Sequence, residues 1–202
     1  MSKTLAKIVS YLFHPLMMPS LGIIYLFYNG SYISMMPGDV KKIILLVISA
    51  NTLGLPLLII PLFYHFGVIR SYSMETHRER ILPLAFTLIP YMFSVYFIYR
   101  IPIASIIGSF ILGATLILFA ALLITTRWKI SLHLIAGGGI AGFLLSFSLK
   151  FQTDILIPLI LVFLLSGIVA AARLVLSTHK PSQIYTGFLL GFTLMFLTVY
   201  YF

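Results

Sequence analysis

The chain contains no cysteine and very few acidic residues. Its 202 residues include 13 Lys and Arg but only four Asp and Glu, and charged residues make up 8% of the chain, whereas an average soluble domain has about 25%. Without cysteine, disulfide bonds and thiolate chemistry are excluded. Four acids are also too few for an aspartate-rich prenyltransferase, which needs two Asp-rich motifs.

Hydrophobic residues take the place of the missing charge, at 61% of the chain. They form long runs without the alternation of barrel strands, so the sequence predicts an all-α, polytopic membrane helix bundle. Because a bilayer core needs about 20 apolar residues per helix, we expect about six to seven transmembrane helices in one domain, residues 1–202. The predicted spans are 7–28, 42–64, 81–99, 103–125, 131–149, 155–175 and 184–202.

The apolar run at the N-terminus resembles a signal sequence. However, His14, Pro15 and Pro19 interrupt it and no small-residue cleavage pattern follows, so we predict a first membrane helix that is retained. Glycines at 137–139 and 142, with Gly187 and Gly191, predict close helix packing.

With seven spans, the connections alternate between two faces of the membrane. Side A comprises residues 1–6, 65–80, 126–130 and 176–183, and side B comprises 29–41, 100–102, 150–154 and the C-terminus. All five histidines fall on or near side A, as an active site at that surface would require. The histidines are His14, His65, His77, His133 and His179.

Lys and Arg are also concentrated on side A. Positive-inside counting therefore predicts that side A is cytoplasmic, in a bacterial inner membrane. Without the candidate site arginines the bias is weak. Side A carries Lys3, Lys7, Arg70, Arg78, Arg80, Arg127, Lys129, Arg173 and Lys180, and side B carries Lys41, Lys42, Arg100 and Lys150.

Three side-A segments contain the candidate site residues. In the first, Arg78 and Arg80 either clamp a phosphate, since the guanidinium fork matches phosphate oxygens, or pair with Glu75 and Glu79 at a solvated helix start. In the second, Ser131 is placed to cap the next span, which puts His133 in its first turn, where anions are favoured. In the third, Arg173 ends one span, and His179 and Gln183 precede or begin the next.

Ser131-Leu132-His133 and Arg173-x5-His179-x3-Gln183 resemble two motifs of the type-2 phosphatidic-acid phosphatase and vanadium haloperoxidase superfamily. That family has Gly at the position of Leu132 and Asp at the position of Gln183. The first family motif, Lys/Arg-x6-Arg-Pro, matches poorly: Arg80 is followed by Ile-Leu-Pro83. The resemblance covers roughly residues 75–191, and many bacterial relatives place the site outside the cytoplasm.

The resemblance implies a lipid phosphatase that needs no metal and no cofactor. His179 would attack phosphorus and His133 would protonate the leaving alcohol. Arg78, Arg80, Arg173 and Ser131 would hold the phosphate. Gln183 would orient His179 without supplying charge, or Glu75 or Glu79 would take that role. The implied substrates are phosphatidates and polyprenyl phosphates or diphosphates.

Two other functions remain open on the sequence. The same arginines would serve a non-catalytic binder or transporter of anionic phospholipid. A metal-dependent enzyme would use the histidines with Glu75 and Glu79, although no His-x3-His pair places two ligands on one helix face. Nucleic acid is not expected as a partner, because no basic surface is long enough.

Overall fold

The computed structural model of the protein describes residues 1–29, 32–74, 76–101 and 105–202. Glu75 and the first two residues of the predicted span 103–125 lie outside these ranges. The described residues form nine α-helices and no strand. The helices are α1 (Lys3–Leu12), α2 (Met18–Tyr28), α3 (Gly38–Ser49), α4 (Leu55–His65), α5 (His77–Tyr99), α6 (Ser105–Thr125), α7 (Leu132–Phe151), α8 (Leu156–Val175) and α9 (Pro181–Tyr201).

Four of these helices combine into two longer, interrupted ones. A 3₁₀ turn, Pro15–Met17, joins α1 to α2, and a π-helical turn, Ala50–Gly54, joins α3 to α4. In the described part of the chain this gives seven helices long and apolar enough to cross a membrane. The prediction of an all-α bundle is thereby confirmed, and the protein is an integral membrane protein.

Four of the membrane-length helices begin earlier than the predicted spans do. The spans predicted at 7–28, 42–64, 81–99 and 184–202 begin at Lys3, Gly38, His77 and Pro181. The reason is that hydropathy detects only the lipid-facing length, whereas polar caps start the helices. The Ser2 hydroxyl accepts the Leu5 amide at 3.2 Å, and the Thr76 hydroxyl accepts the Glu79 amide at 3.4 Å.

The interruption at His14 has a local cause. Pro15 has no N–H to continue the hydrogen bonding of α1, and the chain instead turns through Pro15–Met17. His14 caps this turn, its Nδ1 accepting the amide hydrogen of Leu16 at 3.4 Å. A 3₁₀ segment inside a span often marks a functional position.

The predicted glycine packing is present between α7 and α9. A Cβ on Gly138 or Gly142 would collide with the backbone carbonyls of Phe188 and Phe192, and one on Gly191 would collide with the carbonyl of Ile135. Only glycine permits this approach of backbone to backbone. We call this contact the α7–α9 seam, and it fixes the side-A ends of the two helices relative to each other.

Candidate functional site

A large cavity opens near the side-A ends of the helices. Its volume is about 880 Å³. Its walls come from α1, the Pro15–Met17 turn and the start of α2, from α4, α5, α6 and α7, and from the connections at 72–74 and 176–179, with Arg173 of α8 and Met195 of α9. Most of the lining is apolar, whereas the polar groups gather at the side-A end. These polar groups are Lys7, Ser10, His14, Arg80, His133, Arg173, Thr178 and His179.

His179 is held in one orientation by the start of α9. Pro181 opens that helix, and the Gln183 side-chain oxygen accepts both the Lys180 amide, at 3.0 Å, and His179 Nδ1, at 3.2 Å. Because the Lys180 amide can only donate, it fixes which end of the Gln183 amide is the oxygen. His179 therefore carries its proton on Nδ1, which leaves a lone pair on Nε2.

The electrostatic surroundings keep His179 uncharged. Burial lowers its pKa, the guanidiniums of Arg80 and Arg173 lower it further, and these effects outweigh the Gln183 hydrogen bond, so that the pKa falls to about 3. At neutral pH the ring is a neutral base, which is the form a nucleophile requires.

Arg80 is buried between two side-A connections. It is 7% exposed. Its Nε donates to the Met74 carbonyl at 3.1 Å, and Nη1 donates to the Ile130 carbonyl at 3.5 Å. These bonds tie the segment before α5 to the segment before α7, and they leave other guanidinium hydrogens for a ligand.

Arg173 is buried in the last turn of α8, where it is 9% exposed. Its Nη1 donates to the Ser10 hydroxyl at 3.4 Å, and its Nε has no hydrogen-bond partner among the described residues. A buried guanidinium with an unused donor is costly unless an acceptor joins it.

Neither arginine pairs with a described carboxylate. The only ion pair in the described ranges joins Lys42 to Asp39 on side B. Apart from Glu79, the sequence places one other acid on side A, Glu75. Its single negative charge can neutralise at most one of the two guanidiniums. The polar end of the cavity therefore carries excess positive charge, which an anion would balance.

His133 bonds to α1 rather than to its own helix start. Its Nε2 lies 3.1 Å from the Ser10 carbonyl oxygen. A carbonyl only accepts, so this nitrogen carries a hydrogen and Nδ1 is the atom able to gain or lose a proton. The ring also packs edge-to-face on His14, with centroids 5.8 Å apart.

Two predicted site residues do not reach the cavity. Arg78 is exposed and Arg80 is buried, because residues two apart on a helix face opposite ways. The structure therefore brings Arg80 but not Arg78 into the cavity lining, and the clamp by both arginines stays a prediction. Ser131 occupies the N-cap position of α7, but its hydroxyl makes no cap bond and is fully buried without a partner among the described residues. Gly187 of α9 packs against its backbone carbonyl.

Of the two carboxylates proposed as acceptors, the described one, Glu79, does not bond to His179. Gln183 is the side chain bonded to His179, whereas Glu79 lies in the first turn of α5 and is not part of the cavity lining. The alternative acceptor Glu75 lies outside the described residues. In the described ranges, no three His, Asp or Glu side chains are close enough to share a metal ion.

The contribution of α1 was not predicted from the sequence. Lys7, Ser10 and His14 all line the cavity, and Ser10 contacts both Arg173 and His133. Lys7 and Ser10, three residues apart, lie on one face of α1, and His14 follows at the cap of the turn that Pro15 begins. This spacing, followed by Pro15, was the sequence signal from which the role of α1 could have been inferred.

Comparisons with known proteins give no relative: no protein-family model, no curated protein and no solved structure matches this chain. The structure brings His133, Arg173, His179 and Arg80 to one cavity, with Gln183 behind His179. Chemically, this is an anion site with a neutral base at its edge and an apolar extension into the membrane.

Proposed function

We propose that the protein is a membrane lipid phosphatase, which binds the phosphate of an amphiphile at Arg80 and Arg173 and cleaves its phosphate ester or diphosphate through His179. The observation that carries the proposal is the pair of buried guanidiniums, unpaired by any described carboxylate, at the polar end of an apolar cavity. An anionic headgroup matches the charge, and a hydrocarbon chain matches the lining.

The first step would form a phosphohistidine. The Nε2 lone pair of His179 attacks phosphorus, and the bond from phosphorus to the lipid oxygen breaks, with its electrons passing to that oxygen. The phosphate enters carrying one proton; neutral His133 takes that proton on Nδ1 and gives it to the departing alkoxide, while Nε2–H stays bonded to the Ser10 carbonyl. Fixed cations stabilise the charge on the phosphoryl oxygens.

The second step would release phosphate. Water attacks the phosphorus of the phosphohistidine, the nitrogen–phosphorus bond breaks, and Nε2 of His179 recovers its lone pair. His133 Nδ1 takes a proton from the water and passes it to the released phosphate, which leaves His133 neutral for the next substrate. No group outside the chain, the lipid and water is needed for the balance.

Gln183 is expected to make the first step slow. During attack Nδ1–H of His179 becomes more positive, and an amide oxygen offsets this charge less than a carboxylate does. In serine proteases, replacing the corresponding Asp with Asn costs about 10⁴ in rate. Gln183→Glu keeps the length of the side chain and adds the charge, so it should raise kcat about tenfold or more.

The test is phosphate release from lipid phosphates and diphosphates by the purified protein. Wild type should release phosphate, and His179→Ala should not. His77→Ala is the matched control, because His77 lies on side A but does not line the cavity. Equal release from wild type and His179→Ala would refute the proposal.

A second candidate function is binding or transport of anionic phospholipid without cleavage. The observation that favours it is the neutral acceptor Gln183, which provides little help to a nucleophile. Phosphatidate binding that is lost in Arg173→Gln, together with no phosphate release from wild type or Gln183→Glu, would select this function.

We further propose that side A faces the cytoplasm of a bacterial inner membrane, from its excess of Lys and Arg. The absence of cysteine makes a direct test simple. Thr126→Cys on side A and Met35→Cys on side B replace exposed residues. In intact cells an impermeant maleimide should label the second and not the first, and the reverse result would place the site outside.

A further inference from the structure

The interruption of the first membrane helix leaves a carbonyl available to the site. In a continuous helix the Ser10 carbonyl would accept the amide hydrogen four residues later. Here the last α-helical bond runs from the Phe13 amide to the Val9 carbonyl, and within the described part of this segment the next amide does not bond to Ser10. The Ser10 carbonyl oxygen lies 3.1 Å from Nε2 of His133 instead. The break before Pro15 therefore provides the acceptor that orients His133.

The same break places His14 at the polar end of the cavity. His14 is half-buried, lines the cavity and packs edge-to-face on His133. Its Nδ1 accepts the amide hydrogen of Leu16, so the neutral ring carries its own hydrogen on Nε2. Among the described residues, none accepts a hydrogen bond from this Nε2–H. His14 thus has a donor that the protein itself does not use.

The polar end of the cavity holds more hydrogen-bond donors than the described residues there can accept. Arg173 has an Nε–H without a described partner, and Arg80 has guanidinium hydrogens beyond its two bonds to carbonyls. The hydroxyl and the carbonyl of Ser10 already accept from Arg173 and His133. The oxygens of a phosphate group are strong acceptors, so a bound phosphate would match the unused donors, that of His14 included.

We propose that His14 is a third ligand-binding group of the site, whose Nε2–H donates to a phosphate oxygen beside Arg80 and Arg173. This assignment rests on the proposed function, because it requires a phosphate at the two guanidiniums. A neutral imidazole adds a directed hydrogen bond without adding charge. His14 therefore fixes how the phosphate is turned towards His179 and His133, while the arginines supply the attraction.

Two substitutions separate the two nitrogens of His14. Asn places its oxygen near the position of Nδ1 and is a preferred helix cap, so His14→Asn keeps an acceptor for the Leu16 amide and removes the donor. Gln reaches as far as Nε2 with its amide nitrogen and is not a preferred cap, so His14→Gln keeps the donor and loses the cap. His65→Asn is the matched control, because His65 is an exposed side-A histidine that does not line the cavity.

Each protein is titrated with phosphatidate and with diacylglycerol, which lacks the phosphate, and its melting temperature is measured in detergent. His14→Asn should bind phosphatidate about tenfold more weakly than wild type, the lower end of the effect of a hydrogen bond to a charged group, with little change in melting temperature. His14→Gln should bind within about threefold of wild type but melt at a lower temperature. Binding of diacylglycerol should be the same in all variants, and His65→Asn should match wild type throughout.

Two outcomes overturn the inference while leaving the proposed function intact. One is a His14→Asn protein that binds phosphatidate as tightly as wild type, even if its phosphate release falls, since His14 would then act only through His133. The other is an equal loss of affinity in His14→Asn and His14→Gln, which would assign the effect to the turn or the ring contact rather than to Nε2–H. If wild type binds no phosphatidate, or Arg173→Gln binds it as tightly as wild type, the proposed function fails as well, so the two failures are distinguishable.

Discussion

The two walls of the larger cavity are built in different ways. On one wall, the α7–α9 seam brings backbone against backbone at Gly138, Gly142 and Gly191, and it carries His133, with His179 and Gln183 at the start of α9. The opposite wall consists of α1, its Pro15–Met17 turn, α5 and the last turn of α8, which carries Arg173. It reaches the site through long side chains and a helix interruption.

The difference corresponds to two chemical demands. The proposed reaction needs its nucleophile and proton donor placed within about 0.5 Å, and the seam would provide rigid supports for them. Anion binding tolerates more variation, because a guanidinium has several donors on a long stem. The two walls are joined at Ser10, whose carbonyl meets His133 and whose hydroxyl meets Arg173.

The largest expected effect comes from breaking the seam. In Gly191→Ala the new Cβ meets the Ile135 carbonyl, a backbone atom that cannot turn aside. We expect a stability loss of about 3 kcal/mol, at the upper end of ordinary overpacking, measured by thermal unfolding in detergent. Gly167→Ala is the control, because nothing lies within 4 Å of that Cβ. Equal stability of the two variants would mean that the seam is looser than described.

The second-largest expected effect is a loss of ligand affinity that comes from the opposite wall and leaves the seam intact. Arg173→Gln should lower the affinity for a lipid phosphate about 100-fold, the value of a strong charged hydrogen-bond pair, without lowering the melting temperature, because a buried unpaired charge is removed. Arg78→Gln, two residues before Arg80 but exposed, should change affinity less than twofold. Titration by fluorescence or calorimetry measures the affinity of each variant. A similar loss of affinity in the two variants would mean that Arg78 also binds the phosphate.

A smaller expected effect is the dependence of the protein's stability on pH, which the buried His179 beside the seam causes. Since the pKa of His179 falls to about 3 on folding, from an ordinary value near 6.5, the unfolded chain binds this proton first. Stability therefore decreases as pH falls below about 6.5, by about 1.4 kcal/mol per unit, or about 2 kcal/mol at pH 5. The free energy of unfolding should fall less between pH 7 and pH 5 in His179→Asn than in wild type. Identical sensitivities would contradict a neutral, buried His179.

The smallest expected effect tests the junction of the walls. Ser10→Ala removes the hydroxyl that accepts from Arg173 but keeps the carbonyl bonded to His133. We expect a loss of about 1 kcal/mol in lipid affinity, the value of one ordinary hydrogen bond, with kcat unchanged. A large fall in kcat would show that the hydroxyl also positions the reacting groups.

The fold was largely predictable from the sequence, and the site only in part. Runs of apolar residues identify membrane helices because the lipid core imposes a fixed length, and glycine spacing identified the seam. The helix starts at Gly38 and His77 lay in polar segments that hydropathy does not detect. Gln183 was expected to orient His179, and the two are hydrogen-bonded, because a spacing of four residues near a helix start is a local relation.

Other site relations are not local and were therefore missed or misjudged. The partner of His133 is a carbonyl 123 residues away, and that of Arg173 is a hydroxyl 163 residues away. No periodicity along one helix encodes such contacts. Arg78 and Ser131 had suitable chemistry, but the direction in which each helix faces placed them outside the cavity.

The sequence by itself determined that the chain crosses a membrane as helices, that histidines and arginines gather at one face, and that α7 and α9 can approach closely. These features depend on composition and short-range spacing, which any fold of this chain would share. The tertiary structure alone decided which arginines are buried without a described acid, and that α1 completes the site. Both depend on how separate helices rotate and cross, and those angles arise from packing across the whole bundle.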